Sequence, residues 1–453
     1  MGFTPLCNAL FATKGLFPNI PDIFLSNGAR FYLDIGKHPE YSTPEARDLD
    51  DLVYAVAAGH RIIDDAANNA EVKYRSDGKD VRIKVFAYNW HRNNIEILIE
   101  SALNVGLEQT VGTHENYLLS RSVPFKTLVS ILLPFFSTRV IYSGSGLVLP
   151  EQYGRFEISS RAGFIQENVS FSTETSRGIC NTRDEPHADK KRFRRSHVIV
   201  GESLMSDFQK KLTYGTTRLV YALIELISQS GNNPLKEVCG LRDPVGTLQQ
   251  ISKDLTLTQE VCDYGKNRHT AIRTNRQYFE AVSSNTYLDT IRQMVGSYDF
   301  DWTVYHWDRV LSSLEKDPMS LHKELDWVIK LSNFQEMISS KGSKWDEMAP
   351  KLHQAYHRVH PENQLFEGLV KMGKVMVLHP DRKHRIQQAM DNPPNGTRAE
   401  ARVRIMKELL EGGIYFDADW STINMINQSR VMMPDPRIPN VDYYPPTVLH
   451  KSQ

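Results

Sequence analysis

The chain has 453 residues, 40% of them apolar and 24% charged. This is ordinary globular usage and excludes a wholly disordered chain. Lys plus Arg and Asp plus Glu each number 54, so the net charge is zero, whereas a general binder of nucleic acid or anionic membrane needs a basic excess.

At about 150 residues per domain, the length corresponds to about three domains, or to one large and one small. Cys7, Cys180, Cys239 and Cys262 show no C-x-x-C spacing. Neither a disulfide framework nor a thiolate zinc site is expected. The first residues lack the basic, apolar and small-residue succession of a leader. The longest apolar run, Leu128 to Phe136, is far short of the ~20 residues that span a bilayer. These two observations point to the cytoplasm.

In chain order, the turn Asn27-Gly28, the run Arg30 to Ile35 and a second turn near His38-Pro39 predict a hairpin-like unit over 21–45. Leu52, Val56, Ile62 and Ile63 give 49–75 helical spacing. Val81 to Tyr88 alternates and predicts a strand, and 95–107 a helix. The run 128–136 predicts a buried helix or strand. Phe156 to Ile158 and Phe164-Ile165 are strand candidates. From 216 to 345 the pattern is mainly helical, with Tyr287 to Val295 and Leu321 to Phe334 as clear helices. Asn392-Pro393-Pro394-Asn395-Gly396 breaks the chain. A helix near 398–411, a strand near 421–427 and a proline-rich loop follow. The sum is an α+β chain with strands early, helices later and a small C-terminal unit.

Four segments concentrate polar chemistry. On a strand, Arg30, Tyr32 and Asp34 share a face. That face is either the solvated side of a half-buried sheet or a site. In a site, Arg30 meets a phosphate, Asp34 acts as base or nucleophile, and Glu40 on the return strand holds Mg²⁺ through oxygen. His114-Glu115-Asn116-Tyr117 is a weak signal that fits an exposed loop equally well. Asn181 to Asp189 packs Arg183, three carboxylates and His187 around Pro186. It reads as a charged turn or as a nucleotide- and metal-binding loop. With no Walker lysine loop and no G-x-G-x-x-G, an ATP site would have to be built on a sheet. The basic run Lys190 to Arg195 reads as a solvated helix face or as a patch that steers an acidic partner. His353, His357 and His360 read as surface histidines. The i, i+4 pair lacks the Glu of H-E-x-x-H.

The segments Asn27 to Tyr41, His114 to Tyr117 and Asn181 to Asp189, with Leu325 to Lys330 and Asn392-Pro-Pro394…Thr397-Arg398, together resemble the Pup ligase / Pup deamidase (depupylase) family. The resemblance runs from about residue 20 to about 430, in order and at similar spacing. It implies a glutamine-synthetase-like (carboxylate-amine ligase) large domain over 1–380, with an antiparallel sheet and helices. A small C-terminal domain would occupy 381–453. It implies that ATP phosphorylates the C-terminal glutamate of a small disordered Pup-like modifier. A substrate lysine then attacks the acyl phosphate, and the isopeptide conjugate is marked for the proteasome. Carried over by motif, Asp34 is the catalytic base. Tyr32 and Glu40 are Mg²⁺ positions, Arg30, Thr43 and Trp420 contact ATP, and Arg183 and His187 lie near the nucleotide. Neither nucleic acid nor membrane is an implied partner.

Ile23 to Ser26 and Leu325 to Lys330 are similar to ligases, whereas Arg177 to Ile179 and Lys316 to Met319 are similar to deamidases. The balance is closer to a Pup–protein ligase. A hydrolase that removes the modifier or deamidates its terminal glutamine is the first alternative, and an inactive modifier-binding homologue the second. The family's opening Gly-Ile-Glu-x-Glu strand, which bears a Mg²⁺ ligand, has no counterpart before Asn27. Either the sequence is truncated at its start or that ligand is lost. The stretch from Phe86 to Val111 also departs from the family's short loop.

Overall fold

The computed structural model describes residues 22–34, 39–87, 90–91, 109–110, 112–149, 155–173, 175–235, 240–263, 265, 267–360, 364–426, 429–444 and 447–448. The expected 95–107 helix and the turn residues 35–38 lie outside these.

The Asn27-Gly28 turn forms as the sequence predicts. Gly28 has φ 78°, a conformation that costs glycine nothing. The Asn27 side chain accepts from the Ala29 amide at 3.1 Å. The turn joins β1 (Asp22–Phe24) to β2 (Arg30–Leu33), and β3 (Pro39–Ser42) completes an antiparallel sheet in the order β1-β2-β3. Tyr32 stands opposite Glu40, and Arg30 opposite Ser42. Helix α1 (Leu49–Ser76) starts where Asp48 accepts from the Asp51 amide at 2.8 Å. Asp50 and Asp51 in its first turn and Lys73 and Arg75 in its last match the helix dipole.

The alternating segment after α1 is not a strand. Val81, Ile83 and Val85 lie against Ala66, Ala67, Ala70 and Tyr74 of α1. An extended segment laid along a helix turns every second side chain toward it, so the period of two arises without a sheet. Phe86 forms an isolated bridge to Arg358 outside the named strands.

The two-residue strands β4 (Trp90–His91) and β5 (Gln109–Thr110) pair with each other. The main sheet combines β6 (Glu115–Ser120), β9 (Glu167–Ser170), β10 (Gly178–Asn181) and β11 (Phe193–Val198), in the order β6-β11-β10-β9. It is mixed rather than purely antiparallel, because β9 and β10 run parallel. The apolar run 128–136 lies within helix α2 (Phe125–Thr138), followed by the short α3 (Val140–Ser143). β7 (Leu147–Leu149) pairs with β8 (Arg155–Glu157). Phe164, expected in a strand, ends a 3₁₀ turn over Ala162–Phe164.

The helical half holds α4 (Asp207–Ser230), α5 (Pro244–Lys253), the hairpin β12 (Glu260–Cys262) and β13 (Arg268–Thr270), then α6 (Ala271–Val282), α7 (Leu288–Val295) and α8 (Ser297–Lys316). Helices α9 (Asp326–Ser340), α10 (Trp345–His357), α11 (Leu365–Lys371) and α12 (Arg382–Asp391) follow. The largest buried cluster, around Phe135, Phe136, Phe208, Tyr278, Trp307 and Trp327, joins this half to the main sheet. Among the described residues no helix is long and apolar enough to cross a membrane.

After the 392–396 break, α13 (Arg398–Glu411) is capped by Thr397, whose side chain accepts from the Ala399 amide at 3.3 Å. It packs on the antiparallel sheet β14 (Phe416–Asp419), β15 (Thr422–Met425), β16 (Ser429–Met432) and β17 (Thr447–Val448). Their cluster of Ile405, Met406, Ile423, Val431 and Met433 also contains Phe24 of β1. The first hairpin and the C-terminal unit therefore share apolar packing.

The histidines of α10 are not at the surface. His353 and His357 are buried, with ring centroids 5.1 Å apart. Nearby, the Lys330 ammonium donates to Ser145 O (2.6 Å) and Gly146 O (2.8 Å) and faces His357 Nε2 (2.6 Å). Burial pushes Lys330 down to about 7, while an unfolded lysine titrates near ~10.4. Between these values the unfolded chain binds a proton that the native chain does not. Stability therefore rises with pH across that window. Lys330→Met is expected to remove this rise, read as urea midpoints at pH 7 and pH 9.5. An unaltered slope in the variant would assign the rise to other groups.

Candidate functional site

The β2 face does bring its polar residues together. The Arg30 guanidinium lies 5.1 Å over the Tyr32 ring. Its Nε donates to Asp22 Oδ1 at 2.7 Å. The Tyr32 hydroxyl donates to Glu40 across the β2–β3 register. Asp34 follows β2 directly, and its charge acts on both Tyr32 and Glu40. Burial, then Asp34, pushes the Glu40 carboxyl up, against the Tyr32 hydrogen bond and the Arg30 charge. Thr43 is half-buried just beyond β3.

The main sheet supplies the opposing groups. His114 precedes β6 and meets His197 of β11 edge to face, with centroids 4.8 Å apart. Burial, then the Arg161 charge, holds His114 down at about 4. Burial, then His114, holds His197 at about 2. Both rings are neutral at pH 7, and the Asp34 charge reaches His114. The bland loop reading of 114–117 fails for Glu115 as well, since its carboxylate is buried against Arg139.

The Asn181–Asp189 loop is built by its own side chains. Asn181 Oδ1 accepts from the Arg183 amide at 2.8 Å. Asp184 pairs with Arg121 and accepts from the Arg195 amide at 3.2 Å. The Arg183 guanidinium lies 5.0 Å over the Phe171 ring, and Arg195 pairs with Glu185 at 3.2 Å. The Nε atoms of Arg183 and Arg195 are buried with no hydrogen-bond partner among the described residues. Such donors call for an acceptor, and phosphate oxygens fit a guanidinium fork. Arg183 and Tyr32 both act on the Arg195 charge, so β11 lies within electrostatic reach of the loop and of β2.

The C-terminal unit adds the last side. His187 takes a left-handed φ of 47°, and its ring lies 6.4 Å from that of Trp420. Trp420 meets Phe24 edge to face at 5.1 Å. The neighbouring Asp419 charge reaches Arg30 and His187.

Arg30, Tyr32, Asp34, Glu40, Arg183, His187 and Trp420 thus converge, and Thr43 joins them through its place in the chain. Arg195 and His197 were missed. The run Lys190–Arg195 is not a helix face; a turn at 190–192 leads into β11. The signal was present, since Arg195 and His197 are two apart on a strand, the rule that groups Arg30 with Tyr32.

Among the described residues no group of three or more His, Cys, Asp or Glu side chains is placed to hold a metal. The two oxygen donors Tyr32 and Glu40, with Asp34 beside them, still suit Mg²⁺. That ion commonly takes one or two carboxylates and completes its shell with phosphates and water. The like charges acting on Glu40 are the kind a divalent cation relieves.

With this geometry in place, the comparisons are specific. The family described as Pup-ligase protein matches residues 6–424. The chain is 34% identical over 411 residues to the depupylase of Acidothermus cellulolyticus, covering 89% of this chain and 75% of that one. It is 34% identical over 422 residues to the Pup--protein ligase of Mycobacterium sp. (strain KMS), covering 92% and 87%. The crystal structure of Pup in complex with its ligase PafA superposes with a TM-score of 0.83 at 28% identity, over 98% of this chain and 87% of that chain. The ADP complex of PafA gives a TM-score of 0.79 at 29% identity, over 93% and 89%.

Proposed function

The chain belongs to the Pup-ligase protein family, and from that premise we propose that it is an ATP-dependent isopeptide ligase. It joins the C-terminal glutamate of a Pup-like modifier to lysines of substrate proteins and so marks them for the proteasome. The observation that carries this reading is the pair of buried Arg183 and Arg195 Nε donors, without a partner among the described residues, which together with the Asp34 carboxylate act on one group, His114. Anion donors and a proton acceptor in one site are what acyl-phosphate chemistry needs.

In the first step an oxygen of the modifier's glutamate attacks the γ-phosphorus of ATP. The bond to the bridging oxygen breaks and ADP leaves. Arg30, Arg183 and Arg195 stabilise the charge on the phosphoryl oxygens. Mg²⁺, held by Tyr32 and Glu40, supplies charge neutralisation when bound. In the second step the lysine nitrogen attacks the acyl carbon and phosphate leaves. A protonated lysine cannot attack, so Asp34 takes its proton. Trp420, Thr43 and His187 contact the nucleotide. The same resemblance supports a glutamine-synthetase-like large domain over 1–380, a small domain over 381–453 and a setting in the cytoplasm.

The 34% identity to a depupylase sustains one rival, hydrolysis of the modifier's bond. A single assay separates the two. The chain is incubated with ATP, Mg²⁺, a lysine-bearing protein and a Pup-like modifier ending in Glu, and in parallel with a preformed conjugate. A ligase yields a product heavier by one modifier. Loss of modifier from the conjugate without that product establishes the hydrolase.

A further inference from the structure

Helix α13 carries Arg398 and Arg402 four residues apart, so both leave the same face. Both reach Glu45, two residues beyond Thr43. Arg398 Nε donates to Glu45 Oε1 at 2.6 Å. Arg402 Nη2 donates to Oε2 at 2.8 Å, and Nη1 to Oε1 at 3.1 Å. Burial alone would raise the Glu45 carboxyl, but the charges of Arg402 and Arg398 hold it at about 2.

The remaining donors do not serve this ion pair. Arg402 Nη2 also donates to Gly28 O at 2.9 Å, in the turn that launches Arg30. Its Nη1 donates to Trp420 O at 3.0 Å. Arg398 Nη1 donates to His187 O, and to Met433 O at 2.9 Å. The Arg402 guanidinium lies beside two rings that also meet each other, 4.6 Å from Phe24 and 5.1 Å from Trp420. The contact is close throughout: a Cβ at Gly28 would stand 3.2 Å from Ala399 Cβ.

One carboxylate cannot satisfy the five N–H donors of a buried arginine, so further acceptors are needed, and which acceptors these are bears on the site. Here two side chains end on the backbone of four segments, at Gly28, His187, Trp420 and Met433, and the first three bear or adjoin a proposed nucleotide contact: Arg30, His187 and Trp420. We infer that Arg402, assisted by Arg398, is a positioning residue for the nucleotide site, fixing the Trp420 ring and the Arg30 turn relative to each other through one planar fork. The inference rests on the ATP-site reading above. Only a planar guanidinium reaches a carboxylate and two carbonyls while lying beside both rings; an ammonium is a point charge that cannot.

The test is an ADP titration of the full chain, followed by tryptophan emission. Trp420 is one of six tryptophans, so Trp420→Phe identifies its part of the signal. Arg402→Lys keeps the charge and is expected to weaken ADP binding and raise the KM for ATP by about tenfold or more, the scale of a misplaced contact. The KM for the modifier should stay within about twofold, because only the nucleotide side moves. A folded Arg402→Lys with wild-type ADP affinity and emission response overturns the inference. If that variant does not fold, Phe24→Leu removes one of the two rings and should weaken ADP binding about threefold, at the scale of a lost cation–π contact; no change there overturns it equally. A wild-type chain that binds no ADP defeats the nucleotide reading itself, and the inference with it.

Discussion

Asp34→Asn is expected to lower conjugation by about 10²- to 10⁴-fold, the contribution of a well-placed general base. Asn keeps the shape and removes the charge. Asp34 lies just past β2, where its charge acts on Tyr32, Glu40 and His114. Removing it takes the proposed base away from the incoming lysine, while the arginines proposed to bind the phosphoryl group are untouched. ADP formation should therefore outlast lysine transfer. A single-turnover experiment that follows ADP and conjugate separately reads the two steps. The amide also removes the like charge that helps push Glu40 up, so the Glu40 carboxyl should ionise at lower pH in the variant. Conjugation within tenfold of wild type would take the base role away from Asp34.

Arg139→Met is expected to have the largest effect on stability, about 3–5 kcal/mol, because it strands a buried carboxylate. Arg139 and Glu115 are 2% and 8% exposed, and the pair is bidentate. Arg139 also donates to Thr217 Oγ1 of α4, and the Tyr117 hydroxyl donates to Glu115 Oε2 at 2.6 Å. Adding Glu115→Leu should recover much of the loss, since the stranded charge goes with it. Urea unfolding at 25 °C measures both variants. A single-variant loss below ~1 kcal/mol would show that water reaches the pair. Glu115 adjoins His114, so the folded fraction of Arg139→Met should also conjugate more slowly.

Much of the molecule was legible locally. The Asn27-Gly28 turn, the helices read over 49–75 and near 398–411 and the 392–396 break depend on residues within a few turns of one another. Backbone preference and hydrogen bonds to near neighbours decide them. The grouping of Arg30, Tyr32 and Asp34 follows from the strand period alone. The motif order along the chain carried the family resemblance for the same reason, since it needs only residue types and spacing.

What the tertiary structure decided was which surface each segment meets. Val81 to Val85 alternates because it lies on α1, not in a sheet, and a period of two looks the same in both. Lys190 to Arg195 has the composition of a solvated helix, yet the ladder with β6 draws Phe193–Val198 into the main sheet and brings Arg195 within electrostatic reach of Tyr32. His353 and His357 are polar by type and buried by the packing of α10 against β7 and α9. Phe24 and Ile423 are almost 400 residues apart in sequence and share one apolar cluster. Contacts of that range follow from the burial of whole faces, a property of the assembled chain that no window of sequence contains.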